Sequence, residues 1–296
     1  MAEATISADN TLELKESKLS DYLELLKPRV MSLVVFTAII GLYLAPGTIH
    51  PVIATLSVIC IAIASGGSGA LNMWYDRDID QLMDRTKKRP IPSKKIHPSE
   101  ALTLGIFLSI LSVSVMGLFV NVLSAGILAF TIFFYSVVYT IWLKRYTAQN
   151  IVIGGAAGAL PPVIGWASVT GTVTIEPILL FLIIFIWTPP HFWALALHNS
   201  KEYKKANIPM MPLVAGEKST KIQILAYTIA LVLLTTLPYI LHIAGFFYLC
   251  TAIVTGIIFI YYSVKMLQNS KYNMTTFKYS ILYLFVIFTS LAIDKI

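Results

Sequence analysis

Cysteine is almost absent from this chain. Its two cysteines, Cys60 and Cys250, lie alone inside apolar runs, without the spacing that a disulfide framework or a thiolate metal site needs. Charged residues are also scarce, at 12% of the 296 residues, whereas 57% are hydrophobic and the mean hydropathy is +0.76. A soluble domain of this size does not need so much apolar sequence. The composition therefore excludes a soluble globular protein and indicates an all-α, polytopic membrane protein.

Lysine and arginine are missing from every second predicted loop. Apolar runs of membrane-crossing length predict nine spans, at 30–47, 51–74, 101–119, 122–143, 150–170, 175–198, 221–241, 245–265 and 277–294. The loops after spans one, three, five and seven contain no Lys or Arg, and 21 of the 22 basic residues lie on the other side. That side is predicted to be cytoplasmic, with the N-terminus inside and the C-terminus outside. The net charge of +7 thus reflects membrane topology and does not indicate nucleic acid as a partner.

The first 28 residues contain six acidic residues and no apolar signal-peptide core. We expect neither a secretory signal nor a mitochondrial transit peptide, which favours a bacterial inner (plasma) membrane. Leu19, Tyr22, Leu23 and Leu26 repeat at helical spacing and predict a short amphipathic helix on the membrane surface. We therefore divide the chain into a cytoplasmic N-terminal segment with this interfacial helix, 1–28, and a transmembrane domain of nine helices, 29–296.

The stretch 70–93 directly follows a long apolar run and contains four acidic and five basic residues. Asn72, Asp76 and Asp80 follow one another at four-residue intervals. Each such step turns a helix by about 40° and rises about 6 Å, so the three side chains are predicted to share one face. Oxygen ligands in that arrangement suit Mg²⁺ bound together with substrate phosphates. A charged loop between two spans is the alternative, but it leaves the regular carboxylate spacing unexplained.

Cationic side chains surround this predicted metal site in the sequence. Arg85 and Arg89 follow the three oxygen ligands, and Lys144 and Arg145 end span four. Guanidinium and ammonium groups of this kind hold phosphate oxygens. The Lys144–Arg145 pair is equally explained as a positive-inside anchor, and the two interpretations stay open at this stage.

A third polar region lies at the end of span six. Pro189-Pro190 is predicted to interrupt the span, so that His191 begins a new half-helix within the membrane. A polar residue at that depth is a functional candidate, although a packed, hydrogen-bonded histidine is an equal alternative. Glu202 lies at the cytoplasmic end of the same region, level with Asp80 in the predicted topology, and is predicted to be a further metal ligand, with a solvated loop acid as the alternative. Spans seven to nine contain no residue that we predict to be catalytic.

Charged loops above an apolar bundle fit an amphiphilic substrate. An anionic head would lie with Mg²⁺ and Arg or Lys side chains at the rim, and an apolar tail would lie between helices. Isoprenyl diphosphates have this form, and each buried CH₂ group adds about 0.8 kcal/mol of binding. A metal ion neutralises the departing diphosphate, and a membrane-embedded site keeps water from the carbocation that remains.

These segments resemble the UbiA-type intramembrane prenyltransferase family. The resemblance rests on the Asn72, Asp76 and Asp80 ladder with the following Asp84, Arg85, Thr86, Arg89 and Pro90. Within the family, the chain is most similar to members that farnesylate haem, through Lys27-Pro28-Arg29, WLKRYTAQNIVIGGAAGALPPVIGW (142–166), TPPHFWALA (188–196) and EYKKANIPMMP (202–212). The similarity extends from about residue 27 to about residue 216, and beyond 221 it is one of hydropathy only.

The resemblance implies nine helices around a central cavity and Mg²⁺-dependent farnesyl transfer. Farnesyl diphosphate and haem B would be the substrates, and addition of the farnesyl group and water to a vinyl group would give haem O, a precursor of haem A. It also implies a role for each of ten residues. The implied metal-binding and catalytic residues are Asn72, Asp76, Asp80 and Glu202. The implied diphosphate-binding residues are Arg29, Arg85, Arg89, Lys144 and Arg145, and the implied haem-binding residue is His191.

The residues of the third polar region indicate which acceptor the chain uses. His191 and Phe192 stand where aromatic prenyltransferases carry part of an Asp-rich second motif, which favours haem over an aromatic or quinone-precursor acceptor. A secondary transporter would also contain broken helices and an intramembrane histidine, but its ionisable groups lie near the midplane. A structural oxidase subunit leaves the carboxylate ladder unexplained. Association with haem A synthase or with terminal-oxidase assembly stays open.

Overall fold

In the computed structural model, residues 16–295 are described, and over this range the chain is helical with no β-strand. The membrane-length elements are α2 (Pro28–Leu44), α3 (Pro51–Tyr75), α5 (Pro98–Phe119), α6 (Val122–Phe133) with a π-helical continuation (Phe134–Leu143), α7 (Asn150–Ala159) with α8 (Pro161–Thr170), α9 (Ile175–His198), α12 (Glu217–Leu234), α14 (Phe246–Gln268) and α15 (Tyr272–Ile293). Short helices connect them: α1 (Leu19–Leu25), α4 (Arg77–Leu82), α10 (Ser200–Lys205), α11 (Met211–Val214) and α13 (Leu237–Ile240).

Each of the nine predicted spans coincides with a helix or a pair of helices. Eight segments of the described chain are long and apolar enough to cross a membrane on their own. The ninth is the 17-residue α2, which passes the same test when α1 is added to it, the two meeting at 54°. The prediction of an all-α, multi-pass membrane protein is confirmed.

The short helix α1 has two distinct sides. Leu19 and Leu23 are exposed, whereas Leu25 and Asp21 are buried and Asp21 accepts a hydrogen bond of 2.6 Å from Lys95. This bond lowers the pKa of Asp21 and ties α1 to the loop after α4. A helix with outward leucines fits the predicted interfacial helix, whose place on a membrane surface stays a prediction.

Close backbone packing joins α2 to α8. A Cβ atom on Gly41 would lie 2.1 Å from the carbonyl oxygen of Pro162, and one on Gly165 would lie 2.2 Å from that of Ala38. Only glycine permits this approach, which small residues commonly provide between membrane helices. On the other side of the bundle, α9 packs against α12 and α15 around a core that includes Trp187, Tyr283 and Phe288.

The two prolines do not interrupt α9. The prediction that His191 begins a new half-helix is wrong, because α9 is continuous from Ile175 to His198 with Pro189 and Pro190 inside it. Each proline removes one backbone hydrogen bond, but neighbouring helices bury both prolines and hold the helical path. His191 therefore projects from the side of a helix, one turn after Trp187.

Candidate active site

The carboxylate ladder lies where α3 gives way to α4. The backbone leaves the helical conformation at Asp76 (φ −84°, ψ 4°), but Asp76 N–H still donates to Asn72 O at 2.9 Å and Asp80 N–H to Asp76 O at 2.8 Å. The helical spacing thus persists across the break, and Asn72, Asp76 and Asp80 are all buried. Asn72 Nδ2 donates to Asp76 Oδ2 at 2.9 Å, so these two side chains meet as the spacing predicted.

Asp76 is fully buried, and its two oxygens have different surroundings. Oδ2 accepts hydrogen bonds from Asn72 and from Lys144 Nζ. Among the described residues, Oδ1 has no hydrogen-bond partner, and Arg145 Nη2 lies 3.7 Å from it. A buried carboxylate oxygen without a partner is unfavourable unless a ligand completes its contacts.

Asp80 is also fully buried and is held by one guanidinium. Arg89 Nη1 lies 2.7 Å from Asp80 Oδ2 and 3.0 Å from Oδ1. Thr86 shapes the intervening loop, because its hydroxyl donates to Asp80 O at 2.9 Å and its carbonyl accepts from Arg89 N–H at 2.9 Å. The loop therefore folds back so that Arg89, nine residues later, reaches the carboxylate.

Asn72 connects the ladder to two other elements. Lys27 Nζ donates to Asn72 Oδ1 at 2.5 Å, and Asn72 Nδ2 also donates to Thr140 Oγ1 at 3.0 Å. Thr140 lies in the π segment, where its hydroxyl donates to the carbonyl of Tyr135, five residues earlier, at 2.8 Å. The wider π-helical turn thus aims Thr140 at Asn72, and such distortions recur at functional sites.

Positive charge exceeds negative charge around the two buried carboxylates of this cluster. Lys27, Arg89 and Lys144 are three cations facing the two carboxylates Asp76 and Asp80. Burial, followed by repulsion from Arg89 and Lys144, lowers the pKa of Lys27 to about 7. The cluster as a whole is therefore suited to an anionic ligand.

Asp78 points away from the ladder. Arg145 donates to both of its carboxylate oxygens at 2.7 Å, and this contact lowers the pKa of Asp78. The Arg145 guanidinium also lies over the ring of Tyr75, 4.6 Å from its centroid. Arg145 thus closes the charged end of α3 over Asp76.

Glu202 lies at the rim of the site on α10. Its Oε2 accepts from the backbone N–H of Asp84 at 2.6 Å, and Lys205 reaches the Asp84 carboxylate at 3.1 Å. Hydrogen bonds from Lys87 and Lys205 lower the pKa of Asp84 to about 2. In this structure Glu202 therefore joins α10 to the loop after α4, and its predicted role as a metal ligand stays a prediction.

Arg29 and Arg85 are exposed near the same end of the bundle. Within residues 16–295, neither guanidinium has a hydrogen-bond or ion-pair partner, so both remain available to a ligand. Of the five predicted diphosphate-binding residues, the structure brings Arg89, Lys144 and Arg145 into the buried cluster and leaves these two outside it.

The fit of the residues to Mg²⁺ depends on their donor atoms. No group of three His, Cys, Asp or Glu side chains in the described part of the chain is arranged as a complete metal site. The unpartnered Asp76 Oδ1, the Asp80 carboxylate and the Asn72 amide oxygen are nevertheless hard oxygen donors on one helical path. They fit a cation that takes few protein ligands and completes its shell with substrate phosphate and water.

His191 lies inside the bundle, away from the ion cluster. Its ring is stacked between Trp187 at 4.2 Å and Phe277 at 4.7 Å, measured between centroids, and its Nδ1 lies 2.7 Å from Ser280 Oγ. The packed, hydrogen-bonded histidine of the alternative interpretation is therefore observed, with a serine hydroxyl as the partner. The Nδ1 atom of the ring is engaged by this hydrogen bond, and a contact between His191 and haem stays a prediction.

Four polar or aromatic residues of the site were not predicted from the sequence. Lys27 lies directly before a proline at the start of span one, and this position was a usable signal. Thr140 and the stacked Tyr135–Tyr139 pair (5.5 Å between centroids) depend on the π segment, which no pattern in the sequence indicated. A Cβ atom on Gly154 would lie 2.2 Å from the Tyr139 ring, so this glycine makes room for it.

Known proteins are similar to this chain over most of its length. Residues 34–288 match the UbiA prenyltransferase family. A protein named protoheme IX farnesyltransferase from Rhizobium etli (strain CIAT 652) is 57% identical over 294 residues, covering 96% of this chain and 92% of its own length. A protein of the same name from Bartonella tribocorum (strain CIP 105476 / IBS 506) is 56% identical over 287 residues, covering 95% and 92%.

Solved structures share the fold at low sequence identity. A digeranylgeranylglyceryl phosphate synthase superposes with a TM-score of 0.78 at 22% identity, covering 93% of this chain and 98% of that chain. A UbiA homologue from Archaeoglobus fulgidus bound to DMAPP and Mg²⁺ gives a TM-score of 0.65 at 18% identity, covering 92% and 99%. The chain belongs to the UbiA prenyltransferase family.

Proposed function

We propose that the protein transfers the farnesyl group of farnesyl diphosphate to a vinyl group of haem B, with addition of water, to give haem O and diphosphate. The observation that carries this proposal is the buried ion cluster around Asp76, in which one carboxylate oxygen lacks a partner and cations outnumber carboxylates. Such a cluster suits a complex of a divalent cation with an anionic head group.

Asn72, Asp76 and Asp80 would hold Mg²⁺, with Glu202 as a further candidate at the rim. When bound, the ion supplies charge neutralisation for the leaving diphosphate. The protein's own contribution would be to present these oxygens on consecutive helical turns, where Asp76 and Asp80 are fully buried.

The cations that pair with the carboxylates are the diphosphate-binding groups of the proposal. Lys144 and Arg89 each now contact a carboxylate directly. In the substrate complex the metal would take their place beside the carboxylates, and the two cations would bind phosphate oxygens instead. Both have long side chains that can turn toward phosphate oxygens as the carboxylates turn toward the metal. Arg145 would contribute from beside Asp76, and Arg29 and Arg85 from the rim, through charge-assisted hydrogen bonds to phosphate.

The farnesyl chain would enter the bundle beside the π segment. Tyr135 and Tyr139 precede Lys144 on this segment, and their stacked rings offer aromatic faces next to the cluster. Such faces stabilise a developing allylic cation, and the surrounding apolar helices keep water from it.

The acceptor is assigned from the curated relatives and from His191. The related structures show that this fold alone does not determine the acceptor, since one of them is a digeranylgeranylglyceryl phosphate synthase. The relatives that are 56–57% identical over nearly the whole chain are named protoheme IX farnesyltransferases. His191, buried among aromatic rings, is the residue that we assign to haem contact.

The location and partners follow from the same proposal. We place the chain in a bacterial inner membrane with its N-terminal segment, 1–28, and the ion cluster on the cytoplasmic side, and with the transmembrane domain at 29–296. Haem A synthase or a terminal-oxidase assembly would receive the product.

Product analysis tests the function directly. Purified protein in detergent or nanodiscs is incubated with haem B, farnesyl diphosphate and Mg²⁺, and the extracted haem is analysed by mass spectrometry. We expect a haem carrying one farnesyl group and one added water. A parallel incubation with an aromatic acceptor serves as the control, and prenylation of that acceptor with unmodified haem would contradict the proposal.

A further inference from the structure

Ser280 on α15 makes the one hydrogen bond that the structure records for the His191 ring. Its hydroxyl lies 2.7 Å from His191 Nδ1 and, at the same time, 2.6 Å from the carbonyl oxygen of Phe277. Ser280 is fully buried, so water does not compete for these contacts.

The proton count at this hydroxyl determines which partner donates in the contact with His191. A serine hydroxyl carries one proton, and a carbonyl oxygen can only accept, so the bond to Phe277 O uses that proton. The contact with His191 must then be donated by the ring, from Nδ1–H to Ser280 Oγ. If the hydroxyl turned toward His191 instead, two oxygens would face each other at 2.6 Å without a proton between them.

Trp187 keeps α9 and α15 in the register that this contact needs. Its Nε1–H donates to the backbone carbonyl of Ser280 at 2.7 Å, while its ring stacks on His191 at 4.2 Å. Phe277 covers the other face of the imidazole at 4.7 Å. Both ring faces and the Nδ1 position are thus fixed, which leaves Nε2 as the free nitrogen.

We infer that Ser280 is a positioning residue: it holds neutral His191 in the Nδ1–H tautomer, so that Nε2 presents its lone pair to the iron of the haem substrate. A histidine that binds iron commonly donates its other ring N–H to a fixed acceptor, which sets ring orientation and raises ligand strength. This inference rests on haem being the acceptor, as proposed above. It gives span nine, where no catalytic residue was predicted, a role in acceptor binding.

The tautomer is measurable without haem. In protein labelled with ¹⁵N at the histidine rings, NMR distinguishes Nδ1–H from Nε2–H, and comparison with His191→Gln assigns the signal among the five histidines. We expect Nδ1–H in the wild-type protein and loss of this preference in Ser280→Ala. An Nε2–H signal in the wild-type protein overturns the inference whether or not any variant folds.

The functional arm uses a matched control on the same helix. Ser290 is buried like Ser280 and donates to the carbonyl of Ile287, three residues earlier, at 2.9 Å, and within residues 16–295 no hydrogen bond joins it to a histidine. Ser280→Ala should weaken haem B binding by about 10–100-fold and alter the iron-ligand signals in absorption and resonance Raman spectra. Ser290→Ala should leave both unchanged, and both variants should bind a farnesyl diphosphate analogue as the wild-type protein does.

The outcomes separate this inference from the proposed function. Wild-type haem affinity and spectra in Ser280→Ala overturn the positioning role. If the tautomer shifts and haem binding weakens only in Ser280→Ala, but the wild-type protein makes no haem O, the inference is supported and the proposed reaction is overturned.

Discussion

Two carboxylates at opposite ends of the bundle are held in different ways. Asp294, at the end of α15, accepts the backbone N–H of Tyr248 at 2.7 Å, and its own carbonyl accepts that of Gly245 at 3.2 Å. Asp76, at the end of α3, is held by the side chains of Asn72 and Lys144, and one of its oxygens has no partner.

The difference separates a structural contact from a binding contact. The backbone donors of Asp294 cannot leave without opening the start of α14, so this carboxylate fixes the corner between α13 and α14. The partners of Asp76 are side chains that can change partner while the helices stay in place. A carboxylate held in that way can exchange a cationic side chain for a bound cation at little cost to the fold.

The largest expected effect follows from removing a carboxylate of the ladder. Asp76→Ala or Asp80→Ala should reduce haem O formation by about 10²-fold or more, since each removes charge stabilisation made at the leaving group. Membrane insertion should be intact, because the helices and their loops keep their apolar and basic residues. Haem O is quantified at matched protein levels. Near-normal activity in Asp80→Ala would contradict the assignment of Asn72, Asp76 and Asp80 as metal ligands.

An intermediate effect is expected from a change that keeps charge and alters geometry. Arg89→Lys retains a cation beside Asp80, where Nη1 alone now contacts both carboxylate oxygens, but it loses the planar guanidinium fork that can bind phosphate oxygens in pairs. Loss of one charge-assisted hydrogen bond, worth about 1.5–3 kcal/mol, should raise the KM for farnesyl diphosphate roughly tenfold or more. Steady-state kinetics with haem B in excess measures this, and Lys88→Arg, on an exposed neighbour, is the control. An unchanged KM would leave Arg89 as a topology anchor.

A smaller effect is expected at Asp78. Its bidentate contact with Arg145 is largely exposed, and exposed ion pairs contribute about 0–1 kcal/mol. Asp78→Ala should therefore lower activity by no more than about fivefold. A loss as large as that of Asp76→Ala would show that Asp76 and Asp78 act together in the site, and it would contradict the interpretation of Asp78 as an exposed ion-pair partner of Arg145.

No effect on the chemical step is expected at Asp294. Asp294→Ala removes the acceptor for Tyr248 N–H and should lower stability by about 1 kcal/mol while specific activity of the folded protein is unchanged. Thermal unfolding in detergent and activity below the transition give the two quantities. Loss of activity without loss of stability would place Asp294 outside its structural role.

The sequence predicted the elements of the fold better than their irregularities. Apolar runs and the one-sided distribution of Lys and Arg located all nine spans, because length and charge placement are set by the membrane itself. The continuity of α9 through Pro189-Pro190 and the π segment were not predicted. Both depend on packing by neighbouring helices, which a single-helix pattern does not contain.

The candidate site was predicted in part for the same reason. The spacing of Asn72 and Asp76 indicated their contact, since helical geometry links residues four apart. The pairing of Asp80 with Arg89 needed the loop conformation set by Thr86, and that of Asn72 with Lys27 needed the corner between α1 and α2. Glu202 was predicted from its level in the membrane, which located it at the rim but did not reveal its contact with Asp84 N–H.

Divalent-cation binding tests the central claim most directly, because it is independent of the acceptor. Purified protein is titrated with Mn²⁺, in place of Mg²⁺, with a non-hydrolysable farnesyl diphosphate analogue, and bound Mn²⁺ is measured by electron paramagnetic resonance. We expect a bound ion in the wild-type protein and in Asp294→Ala. The bound ion should be lost in Asp76→Ala and in Asp80→Ala, because these carboxylates would hold it. Equal Mn²⁺ binding in all four proteins would contradict the central claim.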